Sequence, residues 1–286
     1  MNIIHRIFDW KGIPILILVF WMLLILESKF QLRKRVQKKW DRSVINNIVS
    51  VPSFVLLRFM LIPAMVWLAI QNEGIHFGLN YLYALPEWLE GCITFVILDY
   101  SNYVWHTLNH QLTFLWRFHL VHHTDLDLDV TTATRFHFGE LIGSVFFRGA
   151  FVILTGATPL VVLIYEICFE AANLFHHSNT KLPLHFEKIL NIMFVTPRMH
   201  GIHHSAIKSE AFSNYSVIFS FWDRIHRTIK LNVHQDAIVI GVPAYENKNE
   251  LTVIHLFKLP FTKIRKWKAG FLERNIETLD DGKMLD

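Results

Sequence analysis

The sequence predicts an all-α protein, a polytopic membrane helical bundle of about four spans capped on its cytoplasmic face by a histidine-rich cluster. Three observations predict it. Of 286 residues, 52% are hydrophobic and 18% charged, whereas charge nears a quarter in soluble domains. The apolar residues gather in runs on the scale of the ~20 residues that cross a bilayer. Twelve of the 17 histidines fall between positions 106 and 204.

The first run, Ile13 to Leu26, is short for a span, and starting it near Ile7, with Asp9 and Lys11 at the interface, lengthens it to about twenty residues. No small-x-small cleavage site follows it, so it reads as an anchor helix and not a removed signal peptide. The second run is Val51 to Ile70, with Arg58 and Pro63 inside, and the third is Leu89 to about Trp105. The fourth, Leu141 to Phe175, is long enough for a helical hairpin bent at Gly156-Ala157-Thr158-Pro159.

Lys and Arg placement sets the orientation. Positions 29–42 (KFQLRKRVQKKWDR) carry seven basic residues and one acidic, while 71–91 carry no Lys or Arg and three Glu. The first loop is therefore expected in the cytoplasm, and the third span and the 141–175 hairpin return both ends of the histidine region to that side. The basic run reads as a stop-transfer block, with no soluble domain around it to suggest nucleic-acid binding. Cys92 and Cys168 sit singly in apolar segments and read as packing residues. The chain divides into 1–90 (anchor helices and basic loop), 91–228 (the histidine region) and 229–286 (a cytoplasmic tail). That tail has one short apolar element near 251–261 and an acidic, frayed end.

The histidines carry the chemistry. His106 and His110 form H-x3-H; His119, His122 and His123 form H-x2-HH, and His200, His203 and His204 repeat it. On a helix, positions i, i+3 and i+4 share a face, so each set can converge on a point. Several neutral imidazoles brought together each need partners for two nitrogens, and a metal serves many at once. Eight histidines exceed the roughly four to six ligands of one ion, so a two-metal site is expected. Thr107 stands where a zinc protease needs its Glu base. Imidazole suits zinc, copper, iron and nickel alike, and the ligand types alone choose none of them.

These boxes and their flanks resemble the fatty acid hydroxylase/sterol desaturase superfamily. The resemblance runs from about Asp99 to Phe261 through LWRFHLVHHTD (115–125), TTATRFHFGE (131–140), FHHSN (175–179), TPRMHGIHHS (196–205) and FWDRIHRT (221–228). It implies a membrane-bound di-iron oxidoreductase that uses O2 to hydroxylate or desaturate a lipid, whether sterol-like, fatty acyl, carotenoid or alkyl ether. Its cofactors would be two Fe ions, with zinc able to take their place in recombinant protein. Electrons would come from an external donor of cytochrome or ferredoxin type. Carried over by position, the ligands are His106, His110, His119, His122, His123, His200, His203 and His204. His177 is a further ligand with His176 as its neighbour alternative, and His137 of the Arg-x-His block is another candidate. The chain departs from the pattern at Thr107, Gly201 and Ser216, and at Ile225-His226-Arg227; no proposed ligand is lost.

Carboxylates orient ligating imidazoles through the second ring nitrogen. Asp99, within a span, and Asp223 are the first candidates for that catalytic support, with Asp125 beside them and Glu140 weaker. The Asp-Leu-Asp-Leu-Asp stretch 125–129 reads as a solvated loop rim. Trp105, Phe114, Trp116 and Phe118 suit a lipid entrance or an interfacial belt equally. Two other classes remain open: a membrane metal transporter, which would want ligands at mid-membrane, and a zinc-dependent membrane hydrolase.

Overall fold

The computed structural model describes residues 11–83, 85–273 and 282–285. Ile7 and Asp9 of the anchor, and the acidic stretch 275–281, lie outside the described residues. Those described are helical, joined by loops that make only isolated β-bridges. In chain order the main helices are α1 (Ile13–Lys29), α2 (Lys39–Leu56), α3 (Ile62–Ile75), α4 (Glu87–Gln111) and α5 (Thr113–His123). They continue as α6 (Phe138–Thr155), α7 (Pro159–His177), α8 (Leu184–Leu190) and α9 (Pro197–His203).

Among the described residues, three stretches are long and apolar enough to cross a membrane: 39–81, Phe138–Thr155 and Pro159–His177. About four were expected. The third expected span is α4, 25 residues long, but its buried face carries Thr94, Asp99, Ser101, Asn102 and Asn109, so its polar side is spent inside the bundle. The first, α1, has 17 described residues. The hairpin expected over 141–175 is two helices, each of spanning length. Gly156 closes α6 at φ 72°, a left-handed geometry that glycine takes without a Cβ clash. Thr158 then caps α7 and Pro159 opens it. Between α2 and α3 a π-turn at Leu57–Leu61 absorbs Pro63, whose ring would clash with the preceding turn of a regular helix.

Leu61, Ile62, Met65, Leu98, Val152 and Leu163 knit α3, α4, α6 and α7 into one core. The same helices turn Phe59, Trp67 and Phe146 outward, Phe146 being 74% exposed, as a lipid-facing surface requires. Cys92 and Cys168 are on that outer surface and not in the packing positions expected of them.

The basic run is not a loose stop-transfer block. It folds back against the histidine end of the bundle and meets the 125–129 stretch, which is buried and not a solvated rim. Asp125, Asp127 and Asp129 are at most 5% exposed. Arg42 bridges Asp125 at 2.6 Å and also pairs with Asp129, which Arg35 reaches as well. The Asp127 carboxylate accepts the Val36 and Gln37 amides, each at 2.8 Å. Burial alone would raise the Asp129 carboxyl; Arg42 and Arg35 overcome that and hold it well below the ordinary range. Glu27, at the end of α1, accepts the Val130 and Asn179 amides at 3.0 Å. Alternating Asp with Leu looks like a water-washed edge only when its arginine partners, some ninety positions away, are out of view.

The segment after 228 is likewise part of the cap. Gly241 donates its amide to His204 O (3.1 Å), and Ala206 donates to Val239 O (2.7 Å). The apolar element expected near 251–261 includes helix α10 (Val253–Lys258), whose Leu256 is buried with Val49 and Val121. Met284 packs on Val195, Met199 and Leu231.

Candidate metal centre

Four helix ends converge to make the site. α4 delivers His106 and His110 from its last turns, α5 delivers His119, His122 and His123, α7 ends on His176 and His177, and α9 carries His200 and His203 with His204 as its C-cap. Their nitrogens fall into two groups. His106, His110, His119, His123 and His203 form one; His122, His177, His200 and His204 form the other, the ligand atoms of each lying within 4.8 Å of one another. The groups adjoin, since the His123 and His204 rings stack with centroids 4.4 Å apart.

The hydrogen bonds around the rings fix which nitrogen faces inward. His106 Nδ1–H donates to Tyr215 O (2.8 Å), His177 Nδ1–H to Asn173 O (2.8 Å) and His203 Nδ1–H to Ser213 O (2.6 Å). His119 Nδ1–H donates to Glu140 Oε1 (3.1 Å). Each bond leaves Nε2 as the lone-pair nitrogen, and His106 Nε2 and His203 Nε2 are buried with no partner. Both nitrogens of His110 are in the same condition, as are Nδ1 of His122, His200 and His204. In the second group Nε2 faces Nε2 at 2.9 Å between His122 and His177 and between His177 and His200, and at 3.2 Å between His200 and His204. Burial, reinforced by neighbouring imidazoles, depresses His122, His123, His200 and His204 far below the ordinary value, and burial takes His203 down to about 3. All five are neutral near pH 7. Lone pairs crowded this closely, many with no donor to meet them, fit two cations, one per group.

Two of the expected histidines lie outside both groups. His137 caps α6: its Nδ1 accepts the Gly139 amide (3.0 Å) and its Nε2–H donates to Phe257 O (3.3 Å). With both nitrogens engaged, it is not placed as a ligand. The motif's arginine is the active member, because Arg135 donates to Val121 O, Thr124 Oγ1 and Asn46 Oδ1 around the end of α5. His176 donates from Nδ1 to Val217 O (3.1 Å), its ring 4.1 Å from that of His200, so it flanks the second group.

The expected carboxylates also sort differently. Asp99 accepts the Ile218 and Phe219 amides and the Trp222 indole N–H. Asp223 accepts the Tyr215 and Ser216 amides and the Thr228 hydroxyl. Neither touches a histidine; together they shape the 215–222 loop, whose carbonyls at Tyr215 and Val217 receive His106 and His176. Asp125 serves Arg42, Asn46 and Thr132. Glu140, ranked last from sequence, is the carboxylate that meets an imidazole, and Asn109 Nδ2 steadies it at 3.3 Å. The signal that could have promoted it is its place in the first turn of a helix that follows the box.

A cavity of about 380 Å³ lies between α2, α4, α6 and α7, and a smaller one of about 60 Å³ is walled by His106, His119, His122, His176, His177 and His200. Asn102, Trp105, Phe136, Glu140, Phe169 and Asn173 line both, so the larger space leads to the histidines. The aromatic stripe divides: Trp105 walls the cavity, Trp116 packs on His110 (4.9 Å), Phe118 packs on His137 (5.4 Å) and Phe114 is 70% exposed.

The chain is similar to several known proteins. The ornithine lipid hydroxylase OlsE of Rhizobium tropici is 31% identical over 158 residues, covering 55% of this chain and 46% of that protein. Cholesterol 25-hydroxylase of Rattus norvegicus is 23% identical, covering 57% and 54%, and alkylglycerol monooxygenase of Homo sapiens is 25% identical, covering 74% and 47%. The chain thus spans about half the length of these curated relatives. No solved structure matches it. The sequence model of the fatty acid hydroxylase family, a family that uses iron, matches residues 91–228, the stretch that holds all nine grouped histidines. Over that stretch the chain is similar to the fatty acid hydroxylase family.

Proposed function

We propose that this protein is a membrane di-iron enzyme that inserts one oxygen atom of O2 into a C–H bond of a lipid. The observation that carries the reading is the division of nine buried histidines into two adjoining nitrogen groups at the end of a lipid-sized cavity. His106, His110, His119, His123 and His203 would hold one iron; His122, His177, His200 and His204 the other. Iron held there, with electrons from an external donor, would supply the O2 activation that an unactivated C–H bond demands.

The chain's own residues do the rest. Glu140 and the carbonyls of Asn173, Ser213 and Tyr215 keep the imidazoles in one tautomer and one orientation. Phe136 stacks on His122 at 4.4 Å and Trp116 packs on His110 at 4.9 Å, walling the two groups with aromatic rings. The larger cavity lies against α2, α6 and α7, all parts of spanning stretches, which favours lateral entry of a lipid from the bilayer. The basic run 29–42 folds on the same end of the bundle as the histidines, which supports a cytoplasmic centre. The relatives are lipid hydroxylases and monooxygenases, which favours neither the metal transporter nor the zinc hydrolase.

Iron-reconstituted protein in lipid nanodiscs should hold two irons per chain and couple O2 uptake to a product lipid heavier by one oxygen atom. Lipid extracts of a deletion strain and its parent, compared by mass spectrometry, should identify the substrate. One metal per chain at full occupancy would overturn the reading.

A further inference from the structure

We propose that the segment 263–268 is the docking site of an acidic one-electron carrier protein, and that Trp267 and Trp116 conduct its electrons to the histidine groups. This rests on the hydroxylase reading, which needs an outside reductant without saying where it binds.

The segment reads Lys263-Ile264-Arg265-Lys266-Trp267-Lys268. Its four basic residues are exposed, while Ile264 and Trp267 pack inward beside Trp116 and Tyr245. Trp267 is partly exposed, and two routes leave it. Its indole N–H donates to Ala206 O at 2.8 Å, two residues along the chain from His204 of the second group. Its ring lies 6.4 Å from that of Trp116, with planes 30° apart. Trp116 is in turn 4.9 Å from His110 and 5.4 Å from His123 of the first group. Phe212 supports the contact, 6.2 Å from Trp267 and 5.3 Å from His110. A single ring at the surface thus connects with both groups through short contacts. The indoles are not reduced themselves; they narrow the gaps an electron must tunnel.

Charge around that ring identifies the partner. Arg265 and Lys268 pair with Glu250 and Glu246 at exposed sites, where ion pairs hold little energy and exchange readily. Lys263 and Lys266 add positive charge, and Lys208 contributes more from over the Phe212 ring, 5.4 Å from its centroid. A cationic rim around an aromatic outlet complements an acidic protein surface and steers its approach. Each turnover would oxidise two carriers by one electron each. The two electrons, with two protons from water, convert O2 and the lipid C–H into an alcohol and one water.

The test uses full-length, iron-loaded protein in nanodiscs of uncharged phosphatidylcholine. Two reduced probes run in parallel, a soluble acidic ferredoxin and a soluble acidic haem cytochrome domain. At least one should reduce the ferric centre at a rate that falls as salt is raised. The double variant Lys263→Glu/Lys266→Glu should slow that reduction at least about tenfold and remove its salt dependence. Trp267→Leu should bind the probe as the parent does, yet pass electrons about tenfold more slowly. Dithionite, which needs no docking site, should reduce parent and variants alike, and iron content should stay at two per chain. The proposal is overturned if the variants accept electrons from the probe at the parent rate, or if neither probe reduces the parent. It is also overturned if charge reversal weakens only binding to phosphatidylglycerol vesicles, which would assign the patch to the membrane. A parent that bears two irons and oxidises lipid while the variants are unaffected would sink this proposal alone. A parent that holds no iron pair would sink the hydroxylase reading.

Discussion

His123 and His204 lie ring on ring, 4.4 Å between centroids and 14° from parallel, yet their nitrogens belong to different groups. The relationship explains why the H-x2-HH box occurs twice. On an α-helix, at ~100° per residue, i+4 falls ~40° to one side of i and i+3 falls ~60° to the other. One box therefore sends its first and last histidines to one point and its middle one elsewhere. His119 and His123 enter the first group and His122 the second; His200 and His204 enter the second and His203 the first. Each box completes the other's deficit.

Substitutions within one box should consequently act on different metals. His122→Ala removes a member of the four-histidine group and should lower metal content from two per chain toward one. His123→Ala removes one of five and should leave more of its ion bound at the same free-metal concentration. Elemental analysis across a metal titration reads the difference. Equal losses of both ions from either variant would show that the groups are not separate sites.

Glu140 and Asp99 should part in the same assay. Glu140 Oε1 meets His119 directly, and loss of such a carboxylate costs ~10–100-fold in metal affinity. Glu140→Gln should show that loss. Asp99→Asn instead loosens the 215–222 loop by leaving buried amides poorly matched, a cost of about 1–3 kcal/mol in stability, with metal affinity changed much less. A larger affinity loss for Asp99→Asn would reverse the assignment.

Much of this was legible because the histidines state their own geometry. The i, i+3, i+4 spacings announce that the histidines gather, although each triplet divides between two groups where one point was expected, and Gly156 to Pro159 announce the α6–α7 break; both depend only on local helical rules. The sequence is silent where long-range partners decide. Asp125, Asp127 and Asp129 look solvated because Arg35 and Arg42 are distant in the chain. His137 looks like a ligand because its hydrogen bond to Phe257 O spans 120 positions. Glu140 looks peripheral because its worth depends on His119 facing it across two helices. At Gly201, one of the departures from the family pattern, the space a side chain would fill is taken by the Arg33 guanidinium, a contact no local rule foretells.

The depressed imidazoles set a pH dependence for the metal-free protein. His122, His123, His200, His203 and His204 take up protons less readily when folded than the ordinary value of 6.5 allows, His203 only at about 3. As pH falls below ~6.5, the unfolded chain binds protons that the folded chain refuses, so stability falls, by up to ~1.4 kcal/mol per pH unit for each such group. The loss ends only when pH reaches the folded values. Thermal unfolding of chelator-stripped protein in detergent should show Tm nearly constant above about pH 7 and falling steeply towards pH 5. A flat Tm across that window would mean the imidazoles are not buried and neutral as described.

The buried ion cluster joining the basic run to 125–129 should matter as much as any histidine to whether the cap forms. Arg42 reaches Asp125 and Asp129, and Asn46 and Arg135 extend the contact to the end of α5 beside His122 and His123. Removing one member of such a cluster leaves a buried charge uncompensated, which costs about 3–5 kcal/mol. Arg42→Ala should therefore unfold the cap or lower its Tm by many degrees and lose both metals together, since α5 supplies histidines to each group. The double change Arg42→Met/Asp129→Asn removes opposite charges as a pair and should recover part of that loss. Recovery in the double variant, measured by Tm and metal content against each single variant, separates a charge-balance role from simple packing. If the double variant is no better than Arg42→Ala, the ionic account of this contact fails.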